Sequence, residues 1–185
     1  MTFRQIAQRI RVPAGFVLAP LLFISARPTA ASLAAGAFVA LIGLAIRAWA
    51  SGHLRKMEEL TTTGPYAHTR NPLYLGTFLL GAGVAIGGGV LWFVALFAAF
   101  YLVIYVPVMM AEAETMRELF SAEYERYSKQ VPLFAPRLTP YRPAFDPYPT
   151  QFDIALYMHH REYRAAFGFV IAYGLLAAKL MLVIS

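Results

Sequence analysis

The residues best suited to chemistry fall in one stretch, Thr63–Gly76, reading TGPYAHTRNPLYLG, which joins two strongly apolar segments. Gly64-Pro65 marks a tight turn, Asn71 is a good helix N-cap, and Pro72 suits the first helical position, where its missing N–H costs nothing. The spacing therefore predicts a helix starting at Asn71-Pro72. Its unpaired N–H groups and positive dipole end would face Arg70 and His68, a compact site for a carboxylate or phosphate. A second group lies some 40 residues on. At about 100° per residue, Tyr101, Tyr105, Met109 and Glu112 share one helical stripe while Glu114 points away, so Glu112 would present a carboxylate suited to a cationic partner. Duller readings stand beside these: Glu112 as the start of a solvated helix or a partner of Arg70, Arg70 as a headgroup anchor, Tyr66 and Tyr74 as interfacial aromatics, and His53 and His68 as interfacial histidines.

The elements that must position these groups are membrane helices. The 185 residues are 59% hydrophobic and 14% charged, against roughly 45–50% and about 25% in soluble domains. The fold class expected is all-α, a polytopic helix bundle of about five transmembrane helices around a cytoplasmic cofactor site. There is no cysteine, and the four histidines (His53, His68, His159, His160) lack metal-binding spacing, so neither a thiolate nor a bound metal is expected. The net charge of +6 is not arranged as a basic, aromatic-interleaved run, which argues against nucleic acid.

In order, Val12–Ala26 and Ala30–Ala50 read as a helical hairpin turning at Arg27-Pro28-Thr29, with Pro20 a bend in the first helix. Ala35, Gly36, Ala40 and Gly43 offer a close approach to a neighbour. Met57–Arg70 reads as a solvated linker. Leu73–Ile86 is a third helix, with Gly83 and Gly87 four apart, and Val90–Met110 a fourth, kinked at Pro107. Ala111–Tyr127 is an amphipathic charged helix. Val131–Thr150 carries six of the 12 prolines and reads as a strap over the membrane face. A last apolar helix covers about 165–184. All lysines and arginines except Arg27 and Lys179 fall on one side of this arrangement, which sets the N-terminus and the Thr63–Gly76 site in the cytoplasm of an inner or plasma membrane protein.

The pattern GPYxxxRNPxYxG, followed by ExExMxxxFxxEYxxYxxxVP, resembles the isoprenylcysteine carboxyl methyltransferase and phospholipid methyltransferase superfamily of membrane enzymes. The likeness covers about Gly64–Pro136, with weaker likeness in GHLRK and REYRAAFGF. It implies a single domain over 1–185, made of a hairpin at 12–50, a cofactor-binding core at 63–136 and a terminal helix at 165–184. It implies S-adenosylmethionine as cofactor, with Gly64, Tyr66, His68, Arg70, Asn71, Pro72, Tyr74, Gly76 and Glu112 binding it, Arg70 and Glu112 catalytic, and a lipophilic molecule or membrane lipid as acceptor. Asn71 stands where the family has histidine, and Ala113 where it has a second glutamate. The chemistry of the cofactor suits these residues. Its sulfonium and ammonium call for an acid and aromatic or oxygen lining, and its carboxylate for Arg70 at a helix start. An amine acceptor would need a base, for which His68 and Tyr66 are the candidates. The alternatives are a membrane sterol or enone reductase using NADPH and a non-enzymatic membrane scaffold.

Overall fold

The computed structural model describes residues 3–55, 59–142 and 151–184. Among them are six α-helices and no strand: α1 (Phe3–Ser25), α2 (Ala30–Ser51), α3 (Pro72–Gly87), α4 (Leu91–Gln130), α5 (Ile154–His159) and α6 (Tyr163–Ile184), with a 3-10 turn at Gly64–Ala67. The protein is an integral membrane helix bundle. Three helices, α2, α4 and Tyr163–Leu182 of α6, are long and apolar enough to cross a bilayer alone. The other two expected spans are helical but shorter, Pro13–Ser25 and Pro72–Gly87. At 1.5 Å per residue the 16 residues of α3 reach about 24 Å, less than the ~30 Å hydrocarbon core. The chain still runs back and forth. Arg27 N–H, after α1, donates to the Gly88 carbonyl, after α3, at 2.8 Å, so the α1–α2 and α3–α4 turns lie together at one end.

The expected hairpin helices find their main partners elsewhere: α2 packs on α3, and α1 on α4. Glycine causes the first pairing. A Cβ on Gly43 would stand 2.5 Å from Leu80 N and 2.6 Å from Gly76 O, and one on Gly83 would meet Ala40 N at 2.5 Å, so these backbones touch with no room for side chains. Gly36, Ala40 and Gly43 are buried in this seam, whereas Ala35 is exposed. The α1–α4 contact is built from Leu22 and Phe93 with Leu18, Val94 and Phe97 around them.

Pro20 lies within α1 and Pro107 within α4. The apolar span of α4 runs on into the charged segment as far as Ser121, whose non-helical backbone angles (φ 39°, ψ −115°) put a kink between two helical stretches there. The proline-rich strap is seen as far as residue 142. Its backbone is tied to the central stretch by Arg70 N–H to Pro132 O (3.0 Å), Arg137 N–H to His68 O (2.9 Å) and Tyr141 N–H to Ala67 O (2.9 Å); the rest, 143–150, lies outside the described residues.

Candidate functional site

The helix that begins the site is α3. Asn71 occupies the cap position and Pro72 the first turn, as their residue types predict, but the Asn71 side chain makes no cap hydrogen bond. Its Nδ2 instead donates to Leu133 O at 2.9 Å. The strap carbonyl orients the amide through its N–H rather than its oxygen, and Thr69 Oγ1 donates beside it to Phe134 O at 2.9 Å. The cap position is thus held by tertiary contacts, with the side-chain oxygen not spent on the helix's free N–H groups.

A cleft of about 440 Å³ opens beside this helix start. Arg70, Asn71, Pro72 and Tyr74 line it from the central stretch, Tyr66 from the 3-10 turn, and Glu112, Ala113 and Met116 from α4. Six of the sequence-predicted residues, Tyr66, Arg70, Asn71, Pro72, Tyr74 and Glu112, therefore meet in one cavity. Tyr74 Oη donates to Glu112 Oε1 at 2.6 Å, and Tyr101 Oη donates to the Tyr74 carbonyl at 2.5 Å. Tyr101 stacks on Tyr105 with ring centroids 4.3 Å apart, so the stripe read from the sequence forms one connected layer, while Glu114 is exposed. Arg70 donates to Tyr124 Oη at 3.0 Å, with its guanidinium 5.8 Å from that ring's centroid. No Arg70–Glu112 ion pair forms.

His68, Gly64 and Gly76 do not line the cleft. His68 Nδ1 lies 2.8 Å from the Arg137 carbonyl oxygen, an acceptor, which puts the ring proton on Nδ1 and commits His68 to the strap. Gly64 has φ +57°, and a Cβ there would strike the His53 ring at 2.6 Å; it shapes the turn. Gly76 belongs to the α2–α3 seam. Tyr66 lines the cleft, but burial pushes its hydroxyl pKa well above the usual phenol value, and the nearby Glu162 and Glu112 carboxylates push it further. It is a neutral hydrogen-bonding group rather than a base.

Several residues that line this cleft were not singled out from the sequence: Arg47, Arg55, Glu59, Thr77, Tyr124 and Tyr127. Arg47, on α2, is bonded to Leu73 O at 3.3 Å and to Thr77 Oγ1, and pairs with Glu162 Oε2 at 2.7 Å. Arg47 also borders a second cavity of about 240 Å³, between α2 and α5–α6, whose walls include Leu44, Ala48, Tyr157 and Ala166. The REYRAAFGF segment containing Glu162 was the available signal, but sequence spacing cannot pair residues so far apart. Among the described residues no group of three His, Asp or Glu is placed to hold a metal ion.

The described residues form a helical membrane bundle with a polar cleft at the start of α3, and the sequence places that bundle among membrane methyltransferases. The chain belongs to the phospholipid methyltransferase family, whose sequence profile matches residues 30–123. It is similar to the nickel-cobalt-cadmium resistance protein NccN of Alcaligenes xylosoxydans xylosoxydans, 31% identical over 58% of this chain and 49% of that one. It is also similar to the cobalt-zinc-cadmium resistance protein CzcN of Cupriavidus metallidurans, 32% identical over 71% of this chain and 64% of the relative. The chain thus spans from about half to just under two thirds of the length of these relatives. No solved structure matches it.

Proposed function

We propose that the protein transfers a methyl group from S-adenosylmethionine to a lipophilic acceptor, at the cytoplasmic face of an inner or plasma membrane. The observation that carries this reading is the cleft in which Arg70 and the start of α3 meet the Tyr74–Glu112 pair. Its volume is in the range of small-molecule sites, about 300–1,000 Å³. The residues present fit the cofactor: arginines and a helix start for a carboxylate, tyrosine rings and carboxylates for cationic groups, and buried polar atoms still without partners, Arg70 Nε among them. When bound, S-adenosylmethionine supplies an electrophilic methyl group on a positively charged sulfur.

What the chain's residues contribute is binding, alignment and exclusion of water. Glu112 holds cationic charge in the cleft, and the Tyr74 hydrogen bond fixes the carboxylate's orientation. Arg70, stacked and bonded on Tyr124, anchors the anionic end. Methyl transfer needs an in-line approach more than acid–base help, so a rigid, partly desolvated cleft does most of the work. His68 does not line the cleft, and Tyr66, with its raised pKa, stays a neutral phenol, so neither is placed to act as a base on an acceptor bound there. This favours acceptors that arrive already able to attack. The family membership leaves the NADPH reductase reading without support, and a diphosphate would meet both Glu59 and Glu112 in this cleft. A tie to metal resistance, which the relatives' names carry, would run through methylation of a membrane component.

The experiment is methyl transfer from labelled S-adenosylmethionine to a membrane lipid extract, with the protein reconstituted in liposomes. Label should enter the organic phase only with intact protein. Reduction of the extract by NADPH without any transfer of label would sink the proposal.

A further inference from the structure

Among the described residues, three buried polar side-chain atoms have no hydrogen-bond partner: Arg47 Nε, Arg70 Nε and Glu59 Oε1. All three residues line the large cleft. Leaving such atoms unpaired is costly because each has given up its hydration without a replacement, so their concentration in one cavity points to a ligand that completes them. Two are donors and one is an acceptor. A ligand carrying a carboxylate and an ammonium supplies the matching set.

Glu59 is the unexpected member, since its segment reads as a solvated linker in the sequence. Its place is fixed from two sides. The next residue, Leu60, packs with Ala113 and Met116 against the buried Tyr124, Tyr127 and Val131, which brings Glu59 to the α4 wall where position 113 offers only a methyl group. On the other side Arg55 Nε stands 3.3 Å from Glu59 Oε1, near enough to compensate charge but without hydrogen-bond alignment. Glu59 has a side-chain exposure of 19%, and its Oε1 still lacks a hydrogen-bond donor. Glu112 differs, because its Oε1 is already taken by the Tyr74 hydroxyl.

We propose that Glu59 is the second carboxylate of the cofactor cleft and receives the ammonium group of the amino-acid moiety of S-adenosylmethionine. A sulfonium carries no N–H and cannot satisfy an empty acceptor, whereas an ammonium carries three donors. That leaves Glu112 to face the sulfonium by charge alone, with Arg47 and Arg70 available to the carboxylate. The division of labour rests on the methyltransferase reading above.

Calorimetric binding to the full chain in detergent tests it, comparing S-adenosylmethionine with the analogue in which hydrogen replaces the amine. Glu59→Gln should weaken S-adenosylmethionine at least tenfold and change the deaminated analogue less than twofold. The analogue also reports whether the variant is folded. Undiminished affinity for S-adenosylmethionine, or equal losses for both ligands, overturns the assignment of Glu59. If the unsubstituted protein binds neither ligand, the methyltransferase reading falls and this assignment with it; binding without discrimination at Glu59 sinks the assignment alone.

Discussion

The Tyr74 hydroxyl donates to Glu112 Oε1 at 2.6 Å, joining the first turn of α3 to the middle of α4 across 38 residues. The bond ties the α3 end of the cleft to its Glu112 wall. Tyr101, bonded to the Tyr74 carbonyl, holds the same residue from behind. Tyr74→Phe removes only the donor, and loss of a hydrogen bond to a charged group costs about 1.5–3 kcal/mol. We expect the variant to fold and to bind S-adenosylmethionine more weakly; titration calorimetry showing unchanged affinity would mean that the Glu112 orientation does not matter to binding.

Arg70→Ala and Glu112→Ala each remove one charge partner from the proposed ligand. Each should weaken S-adenosylmethionine binding by roughly 1.5–3 kcal/mol. Glu114→Ala, at an exposed position on another face of α4, should do much less. A larger loss at Glu114 than at Glu112 would refute the assignment of the cleft to the Tyr101–Tyr105–Glu112 face.

That face was legible because helical periodicity is local: Glu112 and Glu114 differ by about 200° on any α-helix. The start of α3 was legible for the same reason, from Asn71-Pro72. What could not be read was set by partners distant in sequence. Asn71 was expected to cap α3 with its side chain, but Leu133 O, 62 residues away, takes that side chain. Arg47 counts in the sequence only as one of the basic residues on the inner side, and its partner Glu162 lies 115 residues away. Glu59 looked solvated because nothing nearby shows that Leu60 is drawn into the cluster around Tyr124. Apolar character marks α3 as a membrane segment, while its 16 residues are fewer than a lone span needs.

The seam between α2 and α3 predicts a contrast among glycines. Gly43→Ala places a Cβ 2.5–2.6 Å from backbone atoms of Leu80 and Gly76, which cannot move aside cheaply. Overpacking of this kind costs about 1–3 kcal/mol, outweighing the gain in helix propensity of roughly 0.8–1 kcal/mol. Gly168→Ala meets nothing within 4 Å and should be neutral or mildly stabilising. Thermal unfolding in detergent should rank Gly43→Ala lowest; equal melting temperatures would contradict the close approach.

Tyr66 predicts an alkaline limit. Burial, reinforced by Glu162 and Glu112, raises its folded-state pKa above the unfolded value of about 10. The folded protein therefore favours the neutral phenol. Its stabilising contribution is fully present below about pH 10 and is lost as pH rises above that value. Tyr66→Phe should flatten this part of the stability profile while leaving methyl transfer largely intact; abolished transfer with unchanged cofactor binding would restore the hydroxyl as a reacting group.

Ligand preference gives the last test, because it turns on the sign of charge the cleft holds. Glu59 and Glu112 stand among Arg47, Arg55 and Arg70 in its wall, a mixed lining suited to a ligand with both signs and poorly suited to clustered phosphates. Any ligand selective for the folded state stabilises it by mass action, by about 2.7 kcal/mol at a hundredfold excess over its Kd, and so raises its melting temperature. S-adenosylmethionine and its neutral-sulfur product S-adenosylhomocysteine should both stabilise the protein in detergent, because both keep the ammonium and carboxylate. NADPH should leave the melting temperature nearly unchanged. Glu112→Gln should narrow the difference between the two adenosyl ligands, since only one carries the sulfonium. Stabilisation by NADPH alone would place phosphate recognition in the cleft and overturn the charge assignment of both carboxylates.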